Sequence, residues 1–209
     1  MLDFGFYNMD CMDGMREFPD NYFDLAIVDP PYGIVGAFSQ RCRIAKYGQL
    51  DTVNDAKPST DFFNELFRVS KNQIVWGYNH LSDMLPTTKE FIFWNKHQPV
   101  ASYSDGELAW TSFSRTAKCF DYRFFGSVNR ESDKIHPTQK PIVLYEWLLK
   151  NYAKPGDKII DTHVGSASSL IACHNLGFDY VGFEIDGDYY RAARDRLENA
   201  KLQLRMEGV

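Results

Sequence analysis

Apolar residues along this chain fall into two patterns. Some form short runs, continuous or alternating; others recur roughly every three or four positions over longer stretches. The run YFDLAIVD (22–29) is apolar, partly β-branched and stopped by two prolines, which predicts a buried strand. QIVWG (73–77), EFIFW (90–94), DKIID (157–161) and YVGFEID (180–186) read as further short strands. ELAWTSF (107–113) and CFDYRFFG (119–126) alternate as strands with one exposed face do. Helical spacing marks 59–70, capped by Ser59 or Thr60, and 140–152, where Pro141 suits a first turn and Ile142, Tyr145, Leu149 and Tyr152 share a face. It also marks 166–176, with Gly177 as a left-handed stop, and a last helix from Asp186 or Asp188 to about residue 204. Strands alternating with helices predict an α/β fold with a mainly parallel sheet flanked by helices. The stretch 97–139 breaks that rhythm and reads as a short insertion in a single domain spanning 1–209.

Composition narrows the class. With 209 residues, 44% of them hydrophobic, the chain suits one compact core. It has no apolar run long enough to span a bilayer, and MLDFGFYNMD lacks the basic and apolar regions of a signal peptide, so a cytoplasmic protein with no membrane partner is expected. Cys11, Cys42, Cys119 and Cys173 form no CxxC pair and no zinc spacing, so reduced thiols and no metal site are expected. A net charge of −5 argues against binding nucleic acid through the whole surface but leaves room for local basic patches. Residues 30–50 carry Arg41, Arg43 and Lys46 and no acid, and residues 111–140 carry more cations than acids; solvated loops are the plainer reading of both.

Two stretches carry chemistry. In DPPYGI (29–34) a strand ends at Asp29, and Pro30 and Pro31 then fix φ and remove two N–H donors, leaving carbonyls free to face a ligand. Asp29 adds a carboxylate and Tyr32 a flat ring, at the strand end where open α/β sheets bind ligands. An exocyclic amino group on a base, which donates two hydrogen bonds and stacks, fits this set. In DTHVGSASS (161–169) a strand passes into a helix through one glycine and several small residues. Alone, it could be an ordinary turn. Glu184 ends the next strand, 23 residues after Asp161, where a ribose-binding carboxylate is expected. With no GxGxxG and no phosphate-binding GK[ST], a nucleoside cofactor without phosphates, such as S-adenosylmethionine, fits best.

DPPYGI, HPTQKP (136–141) and DTHVGSASS followed by GFEID (182–186) together resemble the DNA amino-methyltransferases, in the circularly permuted order of the β group, catalytic motif first and cofactor loop last. NMDCMDGMREFPDNYFDLAIVDPPYGI, VWGYNH and FIFWNK are similar to other parts of that family, so the resemblance covers nearly the whole chain. It implies a Rossmann-like methyltransferase sheet and S-adenosylmethionine held by Asp10, Asp29, Lys140, Asp161, His163, Gly165, Ser166 and Glu184. Lys140 also reads simply as a cap before the helix that follows. The family loop usually reads DPF-x-GSGT; here Thr162, His163 and Ala167 replace its proline, aromatic and second glycine. Ala167 adds a methyl where the backbone nears the ligand, while His163 keeps a flat ring and gains a hydrogen bond. The loop is read as altered but working.

The resemblance implies direct transfer to the N6 amino group of adenine in double-stranded DNA, with Asp29, Pro30, Pro31 and Tyr32 as catalytic residues acting on a flipped base. No proline is followed by cysteine, which excludes the usual nucleophile of carbon methylation. DNA contacts are expected from Arg41, Arg43, Lys46, Arg115, Lys118 and Arg123, and 97–139 stands in the place of the family's target-recognition region. That region is short, which makes a homodimer plausible. Alternative readings are cytosine-N4, RNA or protein-amide transfer on the same fold, or a catalytically silent DNA- or nucleoside-binding protein.

Overall fold

The computed structural model describes residues 1–33, 56–98, 104–124, 135–136 and 138–207. Its elements are β1 (Gly5–Asn8), α1 (Cys11–Arg16), β2 (Phe23–Val28), α2 (Thr60–Val69), β3 (Ser70–Trp76), α3 (Tyr78–Leu81), β4 (Phe91–Asn95), β5 (Gly106–Thr111), β6 (Lys118–Asp121), α4 (Ile142–Tyr152), β7 (Lys158–Asp161), α5 (Ser168–Leu176), β8 (Asp179–Glu184) and α6 (Gly187–Glu207). The strands form one eight-stranded sheet in the order β1-β8-β7-β2-β3-β5-β4-β6. β1, β8, β7, β2 and β3 are mutually parallel, and β4 pairs parallel with β6. β5 runs antiparallel to β3 and β4, so every other described strand points the same way.

The runs that lack alternation do so because both faces of the sheet are covered. Along β2, Phe23, Ala26 and Val28 pack with Phe62, Phe63 and Leu66 of α2, while Leu25 and Ile27 pack with Leu144, Leu148 and Leu149 of α4. Ser59 caps α2, its Oγ accepting the Phe62 N–H at 3.3 Å. Such a cap stabilises a helix by about 1 kcal/mol. Gly177 ends α5 at φ 73, the left-handed stop its position predicts. Two helix starts differ from expectation. Pro141 is the extended residue before α4 rather than its first turn. α5 begins at Ser168, because Ala167 adopts a left-handed φ of 62.

The stretch 97–139 is less of an insertion than its broken rhythm implies. It supplies β5, which lies between β3 and β4, and β6 at the sheet edge. Trp110 and Ala109 are core residues on opposite faces. An antiparallel strand returning into a parallel sheet needs no helix before it, which is why the strand–helix alternation fails there.

The helices following the neighbouring strands β2 and β7 leave to opposite faces: α2 brings Phe63 to the cluster of Val28, and α5 brings Ala172 and Cys173 to that of Leu25. Such a switch point opens a crevice at the carboxyl ends of the two strands. Asp29 follows one of them and Asp161 ends the other.

Candidate active site

The carboxyl edge of the sheet gathers Asp10 after β1, Asp29 after β2, Asp161 at the end of β7 and Glu184 at the end of β8. Asp10 caps α1, accepting the Met12 N–H at 2.7 Å. Asp161 is 3% exposed and accepts from Ser169 Oγ at 2.5 Å and from the His163 N–H at 2.9 Å. Burial pushes its carboxyl up to about 7, the charges of Asp29 and Glu184 adding to the rise. Burial also lowers His163 to about 4, so its imidazole is neutral at pH 7, although Asp29 and Asp10 are near enough to favour the charged form. The ring meets Phe62 edge-on at 5.3 Å, and Thr162 Oγ1 lies 2.9 Å from its Nδ1. The result is an acidic crevice with a flat, uncharged ring, suited to a cationic ligand with paired hydroxyls.

The cofactor-type loop is tied down from two sides. Glu184 accepts the Gly165 N–H through one carboxylate oxygen and the Asp186 N–H through the other, each at 2.9 Å. From α6, buried Arg196 donates to the Ser166 carbonyl at 2.6 Å and lies 3.0 Å from Ser168 Oγ. His136, first residue of HPTQKP, would stand 3.9 Å from a side chain at Gly165 and packs edge-on against Tyr189 at 4.4 Å.

At the other end of that motif Lys140, 5% exposed, donates to Asp29 Oδ2. The Tyr32 hydroxyl donates to Asp29 Oδ1. Lys140 is also 3.2 Å from Glu107 Oε2, and Glu107 Oε1 accepts from Lys96. Burial disfavours the charge on Glu107, but Lys140 and Lys96 outweigh it and hold its carboxyl at about 2. Lys140 likewise stays above its ordinary value despite its burial, through Asp29 and Glu107. The Tyr32 ring stacks on His80 at 5.3 Å and 18°. Gly77, at φ 81, makes room for that ring: a Cβ there would lie 2.1 Å from it.

The structure thus brings together Asp29, Pro30, Pro31, Tyr32, Asp10, Lys140, Asp161, His163, Gly165, Ser166 and Glu184 along one edge. The predicted basic residues divide. Arg123 follows β6 at the carboxyl edge, while Lys118 begins that strand at the opposite one. Arg115 also lies at the far edge: it pairs with Glu90 Oε2 at 3.4 Å and covers the rings of Phe113 and Tyr152. Arg115 and Lys118 thus lie at the ends of their strands away from this crevice, and a buried carboxylate engages Arg115. Arg41, Arg43 and Lys46 lie outside the described residues. Glu107, Lys96, His80 and Arg196 were not anticipated. The visible signal for Glu107 was a carboxylate in the apolar strand GELAWT, on the face of Ala109 and Thr111, both fully buried.

A doubly wound sheet with an acidic crevice at its switch point defines the Rossmann-like class of nucleoside-binding α/β proteins. A family model described as DNA methylase, of the N6/N4 type, matches residues 62–195, and the chain belongs to that family. A protein of Escherichia coli (strain K12) bearing the name "Putative methylase YubD" is 25% identical over 209 residues, covering 92% of this chain and 89% of its own. Among solved structures, M1.HpyAVI in complex with SAM superposes with a TM-score of 0.63 at 20% identity, over 91% of this chain and 98% of that one. The PvuII DNA methyltransferase (cytosine-N4-specific) superposes with a TM-score of 0.62 at 15% identity, over 96% and 92%.

Proposed function

We propose that this DNA methylase is a β-group enzyme that transfers the methyl of S-adenosylmethionine to the N6 amino group of adenine at a specific site in double-stranded DNA. The observation that carries the reading is Asp29. Its carboxylate stands at the carboxyl end of β2 with Tyr32 beside it, in the crevice that Asp161 and Glu184 close.

When bound, S-adenosylmethionine supplies an electrophilic methyl on a sulfonium centre. The residues fit such a cation. Asp10, Asp29 and Glu184 line the crevice with carboxylates, Asp161, raised to about 7, ionises more fully when a cation binds, and His163 stays neutral, so it does not repel positive charge. Glu184 has lone pairs left for ribose hydroxyls after accepting one N–H on each oxygen. Asp29 and the Pro30 carbonyl accept hydrogen bonds from the target –NH₂ and favour a pyramidal nitrogen with its lone pair directed at the methyl. Holding nitrogen and methyl in line supplies ~7–11 kcal/mol of the barrier reduction. The base leaves the duplex at a cost of a few kcal/mol, and stacking on Tyr32 offsets about 1–3 kcal/mol of it. In this reading Arg123, with Arg41, Arg43 and Lys46, meets the DNA backbone. The parts of 97–139 outside β5 and β6 read the target, a second copy of the chain extends the grip, and the protein works in the cytoplasm. No helix among the described residues is long and apolar enough to cross a membrane.

Cytosine N4 is the second reading, because a cytosine-N4 enzyme shares the same sheet. The test is transfer of labelled methyl to mixed-sequence DNA, followed by digestion to nucleosides. N6-methyladenine from the wild type, with Asp29→Asn slower by ~10²–10³, supports the reading. Label on cytosine moves the assignment to N4, and normal turnover by Asp29→Asn removes Asp29 from the mechanism.

A further inference from the structure

Both oxygens of Asp29 already accept hydrogen bonds: Oδ1 from Tyr32 and Oδ2 from Lys140. Each oxygen keeps a further lone pair, but an amino group held by Asp29 then shares the carboxylate with a buried ammonium that weakens it as an acceptor. Lys140 has a second carboxylate within reach. Glu107 Oε2 lies 3.2 Å from its Nζ, is buried, and has no hydrogen-bond partner. That oxygen already has the cation on the catalytic acceptor as its ion-pair partner, and a closer approach would complete the hydrogen bond it lacks. The other oxygen of Glu107 is held by Lys96, so the carboxylate keeps its orientation. The four charges, Lys96, Glu107, Lys140 and Asp29, balance to zero.

We propose that Glu107 is a positioning residue that takes Lys140 from Asp29 when the target amino group arrives. The inference rests on the reading that Asp29 receives that group. In the exchange one N–H···O bond, from Lys140 to Asp29, is replaced by one to Glu107. The freed lone pair of Asp29 Oδ2 accepts the N–H of the base. No charge is created or left alone, and the ammonium moves within a network that already holds it. Trp76 supplies the wall along which Lys140 travels, its ring centroid 5.4 Å from Nζ. Without the negative charge of Glu107, Lys140 has, among the described residues, only Asp29 to pair with and competes with the substrate for it.

The experiment compares wild type, Glu107→Gln, Lys140→Met and the double variant, reading labelled methyl in DNA at saturating cofactor together with cofactor Kd by calorimetry. In Glu107→Gln, kcat falls about 10–100-fold, the range seen when a partner that orients a functional group is lost. Cofactor Kd and KM for DNA stay close to wild type, because Glu107 contacts neither directly, and this shows that the variant is folded. The double variant, in which Lys96 and Asp29 remain in balance, is faster than Glu107→Gln. Normal kcat in Glu107→Gln overturns the inference, as does a double variant whose loss equals the product of the two single losses. A wild type that leaves DNA unlabelled overturns the functional reading itself, and this inference with it.

Discussion

The carboxylate of Glu184 accepts the backbone N–H of Gly165 at 2.9 Å, so the strand that carries the expected ribose ligand also fixes the loop that faces the cofactor. Its second oxygen holds the turn into α6 through Asp186. Glu184→Ala therefore removes a ligand contact and a loop anchor together. Cofactor affinity is expected to drop by ~1.5–3 kcal/mol, the value of hydrogen bonds to a charged group. Glu184→Gln keeps one acceptor but turns an –NH₂ toward a backbone donor, and should fall between. Calorimetric titration with unchanged affinity for Glu184→Ala would remove this residue from the cofactor site.

Arg196 anchors the same loop from the other side. It is buried, and it donates to the Ser166 carbonyl next to Ala167, which sits at φ 62. A left-handed alanine costs about 1–2 kcal/mol, and the guanidinium helps hold it there. Arg196→Met keeps most of the side-chain volume and loses the charged donor, so urea unfolding should show ~1.5–3 kcal/mol less stability. Cofactor binding should weaken in parallel. A variant as stable as wild type would show that the loop holds its shape unaided.

What the sequence made legible was local. YFDLAIVD is a strand because it is short, apolar and ended by prolines, and the fold agrees at Phe23–Val28. DPPY, HPTQKP and the 161–169 loop could be placed at one edge because each follows or precedes a recognisable strand or helix. Long-range pairing was not legible. Nothing in GELAWT says that it returns antiparallel between β3 and β4, so the direction of β6, and with it the side on which Lys118 lies, was hidden too. Short elements were missed for the same reason: α1 and α3 are held by packing of Met15 and Leu81 into the core rather than by their own propensity. The paired charges of Glu107 and Lys140 are 33 positions apart (140 − 107) and meet only in the folded sheet.

Asp161 and His163 give opposite pH signatures. Burial raises Asp161 to about 7 against an unfolded value of 3.8, so the folded state holds an extra proton and stability falls as pH rises between about 4 and 7. Burial lowers His163 to about 4 against 6.5, so the unfolded state holds the extra proton and stability rises with pH between about 4 and 6.5. The two nearly cancel in the wild type, and substitution separates them. Asp161→Asn should make stability climb more steeply with pH across this window, and His163→Phe should make it decline. Each slope changes by at most about 1.4 kcal/mol per pH unit. Urea midpoints from pH 5 to pH 8 check this, and parallel curves for all three proteins would refute both assignments. A bound cation favours ionised Asp161, so cofactor affinity of the wild type should also rise through pH 7, and that rise should vanish in Asp161→Asn.

The last prediction separates the ring of Tyr32 from its hydroxyl. The hydroxyl donates to Asp29 while the ring lies on His80, over a glycine that leaves space for it. Tyr32→Phe keeps the stacking surface and loses one hydrogen bond, worth about 0.5–1.5 kcal/mol, so kcat should drop by roughly 2–12-fold with little change in KM for DNA. Tyr32→Ala loses the surface as well, and KM for DNA should rise by the equivalent of ~1–3 kcal/mol. Gly77→Ala offers an independent route to the same defect. Its new methyl meets the Tyr32 ring at 2.1 Å, and its φ of 81 is unfavourable for alanine. The ring must move, although DPPY itself is untouched. Gly77→Ala should therefore resemble Tyr32→Ala in KM for DNA while retaining cofactor affinity, since Gly77 lies on the Tyr32 side of the crevice and not at the 161–169 loop. The check is steady-state methylation with DNA varied at saturating cofactor, alongside calorimetry for each variant. A Gly77→Ala protein with normal KM for DNA would mean that the position of the Tyr32 ring does not govern capture of the base, and stacking on Tyr32 would then have to be abandoned as the reason for that residue.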